Sequence, residues 1–95
     1  MTQIKTIKWL ISGRVQSVGF RFFTYRTAKQ LEVKGTVKNL EDGRVEIIAQ
    51  ADETNLEKFY QRIKKGPRFS LVTHIEIVKP ASTQMKFDAF TIDHQ

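Results

Sequence analysis

The sequence contains no cysteine, so it offers neither a disulfide framework nor a thiolate ligand for a metal ion. This composition is typical of a reducing compartment, and we expect the protein to be cytoplasmic. No apolar run approaches the ~20 residues that a membrane-spanning helix needs. Residues 1–8 also lack the continuous apolar segment of a signal peptide. We therefore expect no membrane partner.

Histidine is scarce as well, with two residues in the chain. We interpret His74 and His94 as exposed residues of a strand and of the C-terminal tail. No Ser-His-Asp triad, paired carboxylates or metal-ligand spacing is visible. The sequence therefore predicts no metal site.

The length of 95 residues predicts one domain, residues 1–95, with a single modest core. Sixteen Lys and Arg residues against ten Asp and Glu residues give a net charge of +6. This excess favours anionic partners such as phosphorylated metabolites or nucleic acid, and an ordinary solvated basic surface is the more common explanation for it.

Apolar periodicity predicts a β-α-β-β-α-β order with a short strand added at the end. Asp42 and Gly43 are typical of a tight hairpin between the second and third strands. A polar loop is expected over residues 80–89. The predicted strands are 7–11, 36–40, 44–49, 71–77 and 90–92, and the predicted helices cover 20–31 and the apolar stripe 56–63, which Gly66-Pro67 ends.

Two local details follow from the same reading. Residues 52–55 offer helix N-cap candidates, and Thr54 has capping-box spacing to Glu57. In the fourth strand one face is expected to carry Leu71, Thr73, Ile75 and Ile77, and the opposite face Val72, His74 and Glu76.

Right-handed crossovers that each skip one strand place the strands in the order 4-1-3-2. The expected fold is α+β and ferredoxin-like, an antiparallel sheet with two helices on one face and a short extra C-terminal strand. Strands 1 and 2 then run in the same direction. Asn39, at the end of strand 2, is therefore expected at the same edge of the sheet as the loop after strand 1.

That loop, residues 13–21, leads from the first strand into the first turn of a helix. Backbone N–H groups and the helix N-terminus can there converge on an anion. The planar guanidinium of Arg21 matches phosphate oxygens. Glycines six residues apart before a helix are by themselves a weak signal, because the Lys-Ser/Thr of a P-loop is missing.

The segment Gly-Arg-Val-Gln-Ser-Val-Gly-Phe-Arg at 13–21 closely resembles a signature of the acylphosphatases, which hydrolyse carboxyl-phosphate anhydrides. Residues 35–45 resemble the second signature of that family. The resemblance implies a ferredoxin-like, metal-independent hydrolase without a cofactor. It implies an acyl phosphate as substrate and inorganic phosphate as product or inhibitor, and we expect a monomer. The residues expected to bind phosphate are Gln16, Ser17, Val18, Gly19, Phe20 and Arg21.

The resemblance also implies the catalytic roles: Arg21 on the phosphate and Asn39 on the attacking water, with a phosphate oxygen taking the proton. Ser17 stands where the family usually has glycine, and Ala51 is a second, more distant departure. If the backbone at Ser17 has φ > 0, the side chain stores roughly 1 kcal/mol of strain.

Two other classes of protein compete with this interpretation. A basic ferredoxin-like domain also describes RNA-recognition modules, although these stack bases on strand aromatics, and residues 44–49 contain none. The other alternative is a catalytically weakened, protein-binding relative of the acylphosphatases, because Ser17 departs from the signature.

Overall fold

Within residues 3–79 and 85–94, which a computed structural model describes, the chain forms five strands and two helices. Their order agrees with the periodicity. Residues 80–84 of the predicted polar loop lie outside the described residues. The elements are β1 (Ile4–Arg14), α1 (Phe20–Gln30), β2 (Lys34–Asn39), β3 (Val45–Asp52), α2 (Glu53–Lys65), β4 (Leu71–Val78) and β5 (Phe90–Asp93).

The strands form one sheet in the order β4-β1-β3-β2-β5, which confirms the predicted order of the first four strands. β1 pairs antiparallel with β3 and with β4, and β2 pairs antiparallel with β3. The additional strand β5 lies beside β2 and runs parallel to it. The ferredoxin-like layout is therefore extended by a fifth strand at the β2 edge.

The core lies between the sheet and the two helices, which contact each other on the same face. Trp9 and Ile11 of β1 alternate into this core, and both are almost fully buried. The Trp9 ring lies 5.6 Å from that of Phe59 and 5.4 Å from that of Tyr60, measured between centroids. Burying side chains of this size stabilises the fold by roughly 1.5–3 kcal/mol each.

The opposite face of the sheet is polar along the three central strands. The buried carboxylate of Glu46 there forms ion pairs with the ammonium groups of Lys8, at 2.8 Å, and Lys38, at 3.5 Å. Strand alternation places no aromatic side chain on this face of β1, β2 or β3. The surface that nucleic-acid-binding relatives of this layout use for stacking is thus missing.

The capping box predicted at Thr54 is wrong. The N-cap is Asp52, two residues before Thr54, and α2 begins at Glu53, because Asp52 is extended and its carboxylate accepts from the backbone N–H of Asn55 at 2.7 Å. Thr54 therefore lies inside the first turn. Asp52 itself was among the N-cap candidates.

The placement of Val72 opposite Ile75 is also wrong. The register between β1 and β4 shifts between Ser12 and Gly13, so that Gly13 pairs with Val72 while Thr73 has no direct partner. This bulge brings Val72 onto the face of Ile75, and both pack against the core. Periodicity alone does not reveal such an extra residue.

Among residues 3–79 and 85–94, two residues other than glycine have left-handed backbone conformations, one at each end of α1. Ser17 has φ = 61° in the loop that enters the helix, and Glu32 has φ = 56° just after it. The left-handed conformation assumed for Ser17 is thus present. No helix in the described part of the chain is long and apolar enough to cross a membrane.

We expect Ser17→Gly to raise the free energy of unfolding by about 0.5–1 kcal/mol, because glycine adopts φ > 0 without strain. Glu32→Gly should give a similar gain for the same reason. Urea denaturation measures both.

Ser12→Gly is the matched control, since Ser12 lies in β1 and does not have a positive φ. Glycine there should cost about 0.5–1 kcal/mol. A loss of stability in Ser17→Gly equal to that in Ser12→Gly would contradict strain at Ser17.

Candidate active site

A cavity of about 310 Å³ opens where β1 turns into α1 and where β2 ends. Its walls come from the entry loop, the first turn of α1, the end of β2 and the C-terminal segment. The two sequence blocks that predicted a site therefore meet here. The lining residues are Val15, Ser17, Gly19, Phe20, Arg21, Phe22, Asn39, Ile92 and His94.

The N-terminus of α1 points at this cavity without a side-chain cap. Its N-cap residue is Gly19, with φ = 76°, and the first turn contains no acidic residue. The first intrahelical hydrogen bond runs from Phe23 N–H to the Gly19 carbonyl at 3.0 Å. The N–H groups of the three preceding residues, all of which line the cavity, have no intrahelical acceptor. This end of the helix thus offers donors and partial positive charge to an anion.

Arg21 is the second residue of α1 and is half-buried in the wall of the cavity. None of the ion pairs among the described residues involves it. Its guanidinium is therefore available to an anion in the cavity. A planar fork of N–H donors suits two oxygens of one phosphoryl group.

Asn39 ends β2, opposite Val45 of β3. Its Oδ1 atom is buried and has no hydrogen-bond partner among the described residues. A buried amide oxygen without a donor costs about 1–3 kcal/mol, so such an atom indicates a ligand or a water molecule. Asn39 thus lines the same cavity as Arg21, and its acceptor oxygen has no donor among the described residues.

Gln16 does not line the cavity. Its side-chain amide donates to the carbonyls of Leu40, at 2.8 Å, and Arg44, at 2.9 Å. These two carbonyls belong to the turn that directly follows Asn39. Gln16 therefore fixes the entry loop of α1 to the end of β2.

The same turn is held by its own contacts. Asp42 accepts from the backbone N–H of Arg44 at 3.0 Å and from its Nε at 2.8 Å. The backbone hydrogen bond from Arg44 is the main reason that the pKa of Asp42 is lowered. The hairpin predicted from Asp42 and Gly43 is confirmed by the antiparallel pairing of β2 and β3.

The structure brings most of the predicted residues together. Ser17, Gly19, Phe20, Arg21 and Asn39 all line the cavity. The two that do not are Gln16, which bonds to the turn, and Val18, which packs against the core.

Sequence reasoning missed four lining residues. Val15 and Phe22 lie directly before and after the predicted binding residues 16–21 in the sequence. Extending the predicted segment by one residue at each end would have included both. Ile92 and His94 come from the C-terminal segment, and His94 was interpreted as an exposed tail residue. Its exposure is correct, but its place beside the cavity depends on the position of β5.

Among the described residues, no group of three or more His, Cys, Asp and Glu side chains is arranged to hold a metal ion. The cavity instead combines helix N–H donors, one guanidinium and one neutral amide. This set of groups matches the oxygens of a phosphoryl group together with a water molecule.

Comparison with known proteins gives a family model and several similar acylphosphatases. The acylphosphatase family model matches residues 7–92. The acylphosphatase of Thermotoga petrophila is 42% identical over 91 residues, which are 96% of this chain and 99% of that protein. That of Archaeoglobus fulgidus is 51% identical over 69 residues, 73% of this chain and 78% of the relative.

Among solved structures, the crystal structure of acylphosphatase from Bacillus subtilis superposes with a TM-score of 0.87. It is 37% identical in sequence, and the match covers 97% of this chain and all of that one. The match extends over both signature blocks and over the strands that carry them. The chain belongs to the acylphosphatase family.

Proposed function

We propose that the entry loop and Arg21 bind the phosphoryl group of an acyl phosphate, and that Asn39 positions the water that attacks it. As a member of the acylphosphatase family, the chain is an enzyme that hydrolyses acyl phosphates to a carboxylate and inorganic phosphate. The observation that carries the residue roles is the shared cavity: an uncapped helix N-terminus, Arg21 and Asn39 all line it, and the Oδ1 of Asn39 is buried without a partner among the described residues.

In this proposal, the backbone N–H donors of α1 and the Arg21 guanidinium bind the phosphoryl group. The first N–H groups of α1 and the Arg21 guanidinium are held in place before the substrate arrives, so they need no reorganisation as charge shifts in the transition state. Preorganised donors of this kind contribute roughly 3 kcal/mol each. The helix dipole adds to the same effect.

In the same proposal, Asn39 positions the attacking water. Its amide oxygen accepts a hydrogen bond from the water, and the amide stays neutral at every relevant pH. The water attacks phosphorus in line with the departing carboxylate. One of its protons passes to a phosphoryl oxygen, and the carboxylate leaves without needing an acid.

The nucleic-acid alternative lacks its main requirement. The open face of the sheet carries the Lys8–Glu46–Lys38 cluster in place of stacking aromatics. Trp9, the one aromatic of β1, is 2% exposed beneath α2. The family assignment favours the hydrolase over this alternative and over a binding-only relative.

The proposed reaction predicts rapid hydrolysis of a small acyl phosphate such as benzoyl phosphate in the presence of EDTA. Release of inorganic phosphate is the measurement. A phosphate monoester should react at least about 10³-fold more slowly, because its alkoxide is a poor leaving group and no acid in the proposed mechanism protonates it. Activity that disappears with EDTA and returns with a divalent ion would contradict the proposal.

Arg21→Ala and Asn39→Ala should have different effects. Arg21 contacts charge that is present in both ground and transition states, so its loss should lower kcat/KM by roughly 10³-fold and weaken phosphate inhibition. Asn39→Ala should lower kcat by roughly 10²–10³-fold and change the inhibition constant of phosphate by less than about threefold. Steady-state kinetics with phosphate as competitive inhibitor separates these effects.

Arg14→Ala is the matched control for charge. Arg14 is exposed at the end of β1 and does not line the cavity, so its loss should change both constants by less than about threefold. Equal loss of phosphate inhibition in the Arg21 and Asn39 variants would show that the division of roles is wrong.

We also propose that residues 1–95 form a single acylphosphatase domain that acts as a cytoplasmic monomer. The absence of cysteine supports the reducing compartment. Light scattering after size-exclusion chromatography should give the mass of one chain, 11.0 kDa. A mass near twice that value at micromolar concentration would contradict the monomer.

A further inference from the structure

His94 lies next to Asn39 because of the way β5 pairs with β2. These strands are parallel, with Val37 opposite Ile92 and Lys38 opposite Asp93. The same register places His94 beside Asn39, and neighbouring strands are about 4.8 Å apart. Alternation along each strand puts the two side chains on the face of Val37 and Ile92.

The cavity lining agrees with this placement. Ile92 and His94, two residues apart, both line the cavity together with Asn39 and Arg21. The imidazole is therefore at the site where the buried Oδ1 of Asn39 has no partner among the described residues. A side chain dismissed as a tail residue thus belongs to the wall opposite the helix N-terminus.

We propose that His94 is a further substrate-binding residue, whose imidazolium form adds a second cationic donor to Arg21 around the phosphoryl group. This inference rests on the proposed function, since it takes the phosphoryl group to lie in this cavity. A protonated imidazole has two N–H donors and one positive charge, and both favour a dianionic group. Binding of the phosphoryl dianion should therefore depend on pH in the range where histidine titrates.

Few other charged groups lie near His94 in the described part of the cavity. Of the described residues that line the cavity, Arg21 is the other charged one, and it keeps its charge throughout that range. Asp93 precedes His94 and lies opposite Lys38, which ion-pairs with Glu46. Asp42, in the turn after Asn39, has a lowered pKa through the Arg44 backbone N–H, so it stays ionised as His94 titrates.

The sign of the pH effect follows from linkage. A bound dianion favours the charged imidazole, so it raises the pKa of His94 in the complex above that of the free protein. The extra affinity is complete below the pKa of the free protein. It is lost as the pH rises through the pKa of the complex.

Sulfate is a suitable probe because it resembles a phosphoryl dianion and does not titrate near neutral pH. We expect its Kd, measured by NMR titration of the backbone amides, to rise roughly three- to tenfold between about pH 5.5 and pH 8 in the unmodified chain. His94→Gln keeps a polar side chain of similar size without the charge. Its Kd for sulfate should change by less than about twofold over this range.

His74→Gln is the matched control. His74 is the other histidine of the chain and lies in β4, at the opposite edge of the sheet from β5. This variant should retain the pH dependence of the unmodified chain. The His94 ring protons should also report a pKa that rises when sulfate is added.

Arg21→Ala distinguishes a failure of the proposed phosphate site from a failure of the proposed role of His94. Loss of sulfate binding in this variant at both pH values supports the shared phosphate site, whereas unchanged binding would overturn the proposed function. With binding dependent on Arg21, an unaltered pH dependence in His94→Gln would overturn the role of His94 alone. A His94 pKa that does not respond to sulfate would have the same meaning.

Discussion

The two hydrogen bonds of Gln16 are the constraint on which the candidate site depends. They join the entry loop of α1 to carbonyls of Leu40 and Arg44, which lie 24 and 28 residues further along the chain. One part-buried amide thus sets where Arg21 lies relative to Asn39. This connection adds to the pairing of β1 and β2 with the intervening strand β3, which reaches Ile11 and Asn39 but not the entry loop itself. A displacement of about 1 Å in such a site costs roughly 10²-fold in rate.

The order of the first four strands was predictable because periodicity and the handedness of crossovers leave few alternatives. The hairpin at Asp42 and Gly43 was predictable from turn chemistry. The features that the sequence did not predict depend on contacts with another segment of the chain. The bulge opposite Ser12 turned Val72 onto the core face, and no residue in β4 marks such a register shift. α2 starts after Asp52 because the Asp52 carboxylate accepts from the backbone N–H of Asn55. Thr54, with its capping-box spacing to Glu57, was an equally good N-cap candidate in the sequence.

The residues of the candidate site likewise divide into those that the sequence predicted and those that it did not. Residues in one motif, such as Arg21 and Gly19, were named from the sequence because local geometry brings them together. Asn39 was named through the predicted topology. His94 was not, since β5 joins the sheet by parallel pairing after a connection without turn signals, and nothing in its sequence selects β2 as its neighbour. The side-chain bonds of Gln16 were equally hidden, because they end on backbone carbonyls that any residue provides.

The position of His94 also bears on which phosphate compounds the cavity accepts. In-line displacement puts the attacking water and the leaving group on opposite sides of phosphorus. In the proposed roles Asn39 holds the water, and His94, which lines the same cavity, binds the phosphoryl group on that side. Of the described residues that line the cavity, His94 is the one with an imidazole, and none has a carboxyl group. The proposed mechanism therefore has the leaving group depart unprotonated, which a carboxylate does readily and an alkoxide does not. On this proposal, selectivity for acyl phosphates over phosphate esters arises because no acid acts on the leaving-group side, with binding of the phosphoryl group common to both.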